Sequence, residues 1–80
     1  MNEKDIWGQV VIVFCDIVDV EKNIVFETTD SESIEEWDSL AHVRLIVALE
    51  DEFDIDFLPE EIYGLSNLGA LYKVILTKIS

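Results

Sequence analysis

Eighty residues suffice for one domain with a thin core, because a chain this short buries only about 60–65% of the surface its unfolded form exposes. Half of the residues are apolar, enough for a single core and too many for wholesale disorder. Eighteen acidic residues against five basic ones give a formal net charge of −13, a field that repels nucleic-acid phosphates and anionic membrane surfaces and attracts basic protein surfaces.

The first apolar segment, IWGQVVIVFCDIVDV, is rich in β-branched residues that favour a strand by propensity. Ile6, Val10, Val13, Phe14, Ile17 and Val18 nevertheless follow the spacing of one helical face, and Gln9, Asp16 and Asp19 break strict alternation. The pattern predicts a helix over residues 3–20. Cys15, the single cysteine, has no partner for an internal disulfide and lacks Cys/His spacing for zinc; it reads as a small buried hydrophobe. The opening MNEKDIW is too acidic for a secretory signal, and the longest apolar run, Val10 to Cys15, is too short to span a bilayer. A cytoplasmic protein without stable membrane association is expected.

Residues 21–37 show no period, and TTDSES within them is loop chemistry, since Ser, Thr and Asp side chains compete for nearby backbone donors. Ile24, Val25, Phe26 and Ile34 are scattered anchors for pinning this loop onto a core. Loops of this length in compact domains tend to be functional. At its end, Trp37 has two readings: a hydrophobe stapling the loop to the next helix, or an aromatic surface for a partner.

The strongest helix begins after Asp38, a good N-cap. Leu40, Val43, Ile46, Val47, Leu49 and Phe53 form its apolar stripe, with Arg44, Glu50, Asp51 and Glu52 largely off it. DIDF leaves the helix. Pro59 suits the first position of a short turn, PEEIYG, closed by Gly64 in the C-terminal role. Ser66 or Asn67 caps a final helix whose apolar side includes Leu68, Leu71, Val74, Ile75 and Ile79. The expected fold is all-α: a small antiparallel bundle of three main helices plus one short helix, with a long loop after the first, in a single domain over residues 1–80.

Ser39 stands at the N-terminus of the strongest helix, where unpaired N–H groups and the macrodipole favour negative charge. A phosphate ester there would lie beside those donors, so the position suits a phosphorylated or phosphopantetheinylated serine. Spacing alone favours a plain capping serine, because such caps are common. The cluster Asp38, Ser39 and His42 also raises nucleophilic hydrolysis, yet so small a bundle has little room for an oxyanion hole, and Asp38 lies on the wrong side of Ser39 to orient the imidazole. His42 is expected at the solvent edge or in a partner contact. In EDEFDIDF the acids alternate without the central glycine of a calcium loop, so no dedicated metal site is expected.

DSL at residues 38–40, followed by LEDEF and DIDF, resembles the acyl carrier proteins and their peptidyl-carrier relatives over almost the whole chain. The resemblance implies a non-catalytic carrier in which Ser39 bears 4′-phosphopantetheine, from coenzyme A, through a phosphodiester, with an acyl or aminoacyl group held as a thioester. It implies that Asp38 helps a phosphopantetheinyl transferase to recognise its target. Leu40, Val43 and Val47 become recognition-helix positions, Glu50 and Asp51 acids that basic partner patches engage, and Ile62 a residue facing the arm. The partners so implied are the transferase, an acyl-loading ligase and acyl-processing enzymes, with no nucleic acid, and the carrier itself is a monomer. Three positions depart from the primary fatty-acid carriers: Glu36 where a glycine is usual, and Ala41 and Arg44 where acids are usual. These point to a carrier dedicated to one specialised pathway. The rival reading is an acidic helical adaptor that binds basic surfaces without a prosthetic group.

Overall fold

The computed structural model of the chain describes residues 3–64 and 67–79. Among them lie helices α1 (Glu3–Val18), α2 (Ser39–Phe53), α3 (Pro59–Gly64) and α4 (Leu68–Ile79), plus one 3₁₀ turn at Lys22–Ile24. The described residues contain no strand, only an isolated bridge between Asp30 and Asn67. The helical bundle and its long first connection are as the periodicity predicts.

α1 is the central element and packs against both α2 and α4. Ile6, Val10, Phe14 and Val18 recur every fourth residue and are all buried. Val13 and Ile17, expected on the same face, sit at its margin. Cys15 is also only half-buried, which corrects its expected place in the core; even so, burial pushes its thiol above the usual range, with Lys22 partly offsetting this. The helix stops two residues short of the expected end. Asp19 adopts φ 63° and donates its N–H to the Cys15 carbonyl at 2.9 Å. Asp tolerates this left-handed stop because its short polar side chain reduces the steric cost.

Of the four expected anchors in the long loop, Val25 and Ile34 are buried, whereas Ile24 and Phe26 are exposed. Backbone bonds do the rest of the fastening. Leu68 N–H donates to Thr29 O at 2.8 Å and Gly69 N–H to Glu27 O at 2.9 Å. Two of the four orphan donors at the start of α4 are thus satisfied by the loop, and Asn67 Oδ1 takes a third, from Ala70, at 2.7 Å. Asn67 is therefore a cap for α4, while the other candidate, Ser66, lies outside the described residues. The buried Thr29 holds the loop's own shape, its hydroxyl accepting from Phe26 N–H at 2.8 Å.

Gly69 permits this stitching. A Cβ there would lie 2.6 Å from the Glu27 carbonyl oxygen and 3.1 Å from Glu27 Cβ. Gly69→Ala is thus expected to destabilise the domain by about 1–3 kcal/mol through overpacking, although alanine is the better helix former by about 1 kcal/mol. Urea unfolding checks this, and a raised midpoint would contradict it.

α2 divides the expected apolar stripe. Ile46 and Leu49 are buried together with Leu45, which the stripe omitted, whereas Leu40, Val43 and Val47 face outward. At about 100° per residue, the two sets fall on different sides of the helix. The helix ends at Asp54 in the left-handed region, φ 54°.

α3 is half a capping box. Glu61 Oε1 accepts the Leu58 N–H at 2.8 Å, and Lys78 of α4 bridges to the same oxygen at 2.9 Å. Gly64 is the last residue of α3, and no described glycine has positive φ, so Gly64 is not the left-handed cap the sequence implied. The Leu58 N–H and then Lys78 hold the Glu61 carboxyl below the usual glutamate range. The stabilisation is therefore complete above about pH 4.3, the ordinary value, and is lost as pH falls through the lower folded-state value. Melting temperatures of the parent chain and of Glu61→Gln should accordingly differ near neutrality and converge on acidification towards pH 3. A gap that widened on acidification would have the wrong sign.

Candidate functional site at the start of α2

Asp38 precedes α2 with extended backbone, φ −86° and ψ −176°. Its carboxylate accepts the Ala41 N–H at 2.8 Å and its carbonyl the His42 N–H at 2.9 Å. Asp38 therefore does the capping. Ser39, the first residue of α2, is exposed, and its hydroxyl has no hydrogen-bond partner among the described residues. The Ser39 and Leu40 N–H groups likewise make no loop or cap bond among the described residues. An exposed hydroxyl thus stands at the positive end of a helix dipole, beside free donors.

Ser39 opens onto a cleft of about 310 Å³ walled by Trp37, Val43, Ile62 and Tyr63. A larger groove of about 680 Å³ runs past Cys15 and Ala48 between α1 and α2, but Ser39 does not line it. The smaller cleft is the functional candidate because it joins the unbonded hydroxyl to apolar walls.

Trp37 decides between its two readings by burial, at 2% exposed. Its ring meets Phe14 of α1 edge-on at 4.9 Å and stacks on His42 at 5.9 Å. Trp37 and His42 occupy the two positions of an N-terminal staple, one before the cap and one a turn inside the helix. The indole N–H donates to His42 Nδ1 at 3.1 Å, so the neutral ring carries its proton on Nε2 and donates it to the Ile62 carbonyl at 2.6 Å. Both ring nitrogens are engaged. His42 is therefore not free to take a proton from Ser39; half-buried at the cleft, it bridges elements of the domain.

The other residues singled out in the sequence fall into two groups. Leu40 (61% exposed), Val43, Val47 (57%) and Asp51 lie on the outer surface of α2, with Arg44 exposed among them. Glu50 is half-buried, and its Oε2 accepts the Phe57 N–H at 2.8 Å, which turns it towards the chain leaving α2. Ile62 is half-buried in the cleft wall. The sequence reading missed the role of His42 as a bridge and of Tyr63 as a wall. The staple spacing of Trp37 and His42 was the available signal for the first; nothing local marks the second.

No curated protein matches the chain. The family model described as "Phosphopantetheine attachment site" matches residues 9–75, most of the sequence. That family is defined by covalent attachment of 4′-phosphopantetheine, and an exposed, unbonded serine hydroxyl beside free helix donors and an apolar-walled cleft fits such a group. On this match, supported by the helical architecture, the chain belongs to the phosphopantetheine attachment site family of carrier proteins.

Proposed function

We propose that Ser39 is the attachment residue, joined to 4′-phosphopantetheine by a phosphodiester, and that the protein is a stand-alone carrier of one specialised biosynthetic pathway, of fatty-acid-like, polyketide or related type. The arm supplies a terminal thiol that holds an acyl or aminoacyl group as a thioester. The observation that carries the reading is the division of labour at the start of α2, with Asp38 capping and the Ser39 hydroxyl left exposed. Tethering turns meetings between cargo and enzyme into local encounters at high effective concentration. The domain then needs no catalytic groups of its own.

Recognition falls to the surface beside Ser39. Asp38 presents the serine to a phosphopantetheinyl transferase. Leu40, Val43 and Val47 offer apolar contact, Asp51 and the outer edge of Glu50 offer negative charge to basic patches of a loading ligase and acyl-processing enzymes, and Ile62 faces the arm. Arg44 and Ala41, in place of acids, select against partners built for the more acidic carriers. The protein acts as a single-domain cytoplasmic monomer. Incubation with coenzyme A and a promiscuous transferase tests the proposal by intact mass. A gain of one phosphopantetheinyl group is expected. No gain, in protein that circular dichroism shows to be folded, would favour the acidic adaptor.

A further inference from the structure

α3 is weakly held for an element that walls the cleft. It has six residues, none fully buried, and a helix that short has no stability of its own. Its described attachments to the rest of the bundle are few. The Glu61–Lys78 pair ties it to α4, and His42 holds the Ile62 carbonyl from α2. The second tie leads into the core, because His42 is fixed by Trp37, and Trp37 by Phe14 of α1.

We propose that His42 is a positioning residue: as the neutral imidazole protonated on Nε2, it latches α3 to the start of α2 and thereby sets the wall of the cleft that Ser39 opens onto. The polarity of the latch is dictated by its ends. Trp37 Nε1 is only a donor and the Ile62 carbonyl only an acceptor, so the ring between them must accept at Nδ1 and donate at Nε2. The titratable groups that line the cleft with His42 are Asp38 on its own side and Tyr63 on α3; α1 contributes none among the described residues. In function the latch acts by preorganisation. With α3 released, only a fraction of molecules present the arranged cleft, and apparent affinity falls by that fraction. The functional consequence rests on the carrier reading, whereas the latch itself does not.

Three measurements on the full chain test this. Long-range ¹⁵N spectra of the His42 ring at neutral pH are expected to show protonated Nε2 and unprotonated Nδ1; an Nδ1–H tautomer overturns the proposal without any variant. In His42→Ala, amide exchange in α3 should rise roughly tenfold relative to α4, the worth of about one hydrogen bond. His42→Gln, which offers one acceptor and one donor, should restore most of that protection. Equal α3 exchange in all three proteins overturns the latch. In transferase assays, His42→Ala is expected to raise KM several-fold with kcat little changed, since Ser39 and its Asp38 cap are untouched; a fall in kcat alone contradicts positioning. If the parent chain gains no mass, the carrier reading fails, and the tautomer and exchange results still judge the latch.

Discussion

Ser39→Ala will take up no phosphopantetheine and will melt at the same temperature as the parent chain. The two halves of this result come from the two adjacent residues at the start of α2. The Ser39 hydroxyl makes no hydrogen bond among the described residues and its side chain is exposed. Replacing it removes the only group proposed to bear the arm and nothing that holds the fold. Surface substitutions away from such features stay within about 0.5 kcal/mol, and alanine is an excellent residue for a first helical turn. Asp38→Ala is the reciprocal control. It deletes the carboxylate that accepts from Ala41 and should cost about 1 kcal/mol of stability. It should also slow loading without abolishing it, because the hydroxyl is still there. Intact mass and thermal melting of both variants check the pair. A Ser39→Ala protein that still gained the phosphopantetheinyl mass would place the attachment elsewhere and end the proposal.

Trp37→Ala carries the largest cost to stability. The side chain is almost wholly buried, contacts Phe14 of the central helix edge-on, and donates its N–H to His42. Truncating a buried aromatic leaves a cavity and costs about 3–5 kcal/mol. Removing the indole also strips Nδ1 of its donor. Small domains have about 5–15 kcal/mol in total, and one this short belongs at the lower end. At about 4–8 °C per kcal/mol for a domain of this size, the melting temperature should fall by at least about 12 °C. Trp37→Phe should fall between the two, because it keeps a ring against Phe14 but loses the N–H and part of the indole's volume. A Trp37→Ala protein melting within a few degrees of the parent would mean that Trp37 is not part of the core. Loading of Trp37→Ala is best measured well below its melting point, where loss of fold and loss of recognition separate.

Much of the local structure was legible in the residues themselves. The helix spacing of Ile6, Val10, Phe14 and Val18 marked the central element against its own strand-like composition, and all four are buried. Asp38 was readable as a cap because its side-chain geometry depends only on the three residues after it. Pro59 at the first position of α3 is local in the same sense. Where the reading erred, the deciding partner was remote. The apolar stripe of α2 ran from Leu40 through Val43, Ile46, Val47 and Leu49 to Phe53, but which part of an apolar helix turns inward depends on where α1 lies, and the structure buries Ile46 and Leu49 together with Leu45, which the stripe omitted. Cys15 stands in an apolar run and is only half-buried for the same reason. The choice between staple and partner surface for Trp37 waited on Phe14, twenty-three positions earlier in the sequence.

By itself, then, the sequence determined where helices begin and end to within a residue or two, which residue caps the second of them, and that a serine hydroxyl stands at its positive tip. These are short-range matters, settled by dihedral preference and by bonds between near neighbours. Only the tertiary structure decided that Gly69 must lack a side chain so that Glu27 can approach, and that His42 joins Trp37 to Ile62 across the cleft. Those contacts join residues up to forty-two positions apart. Their geometry exists only once α1 has gathered the other helices around it, because burial and hydrogen-bond direction depend on the whole arrangement; the staple spacing of Trp37 and His42 was its one local trace.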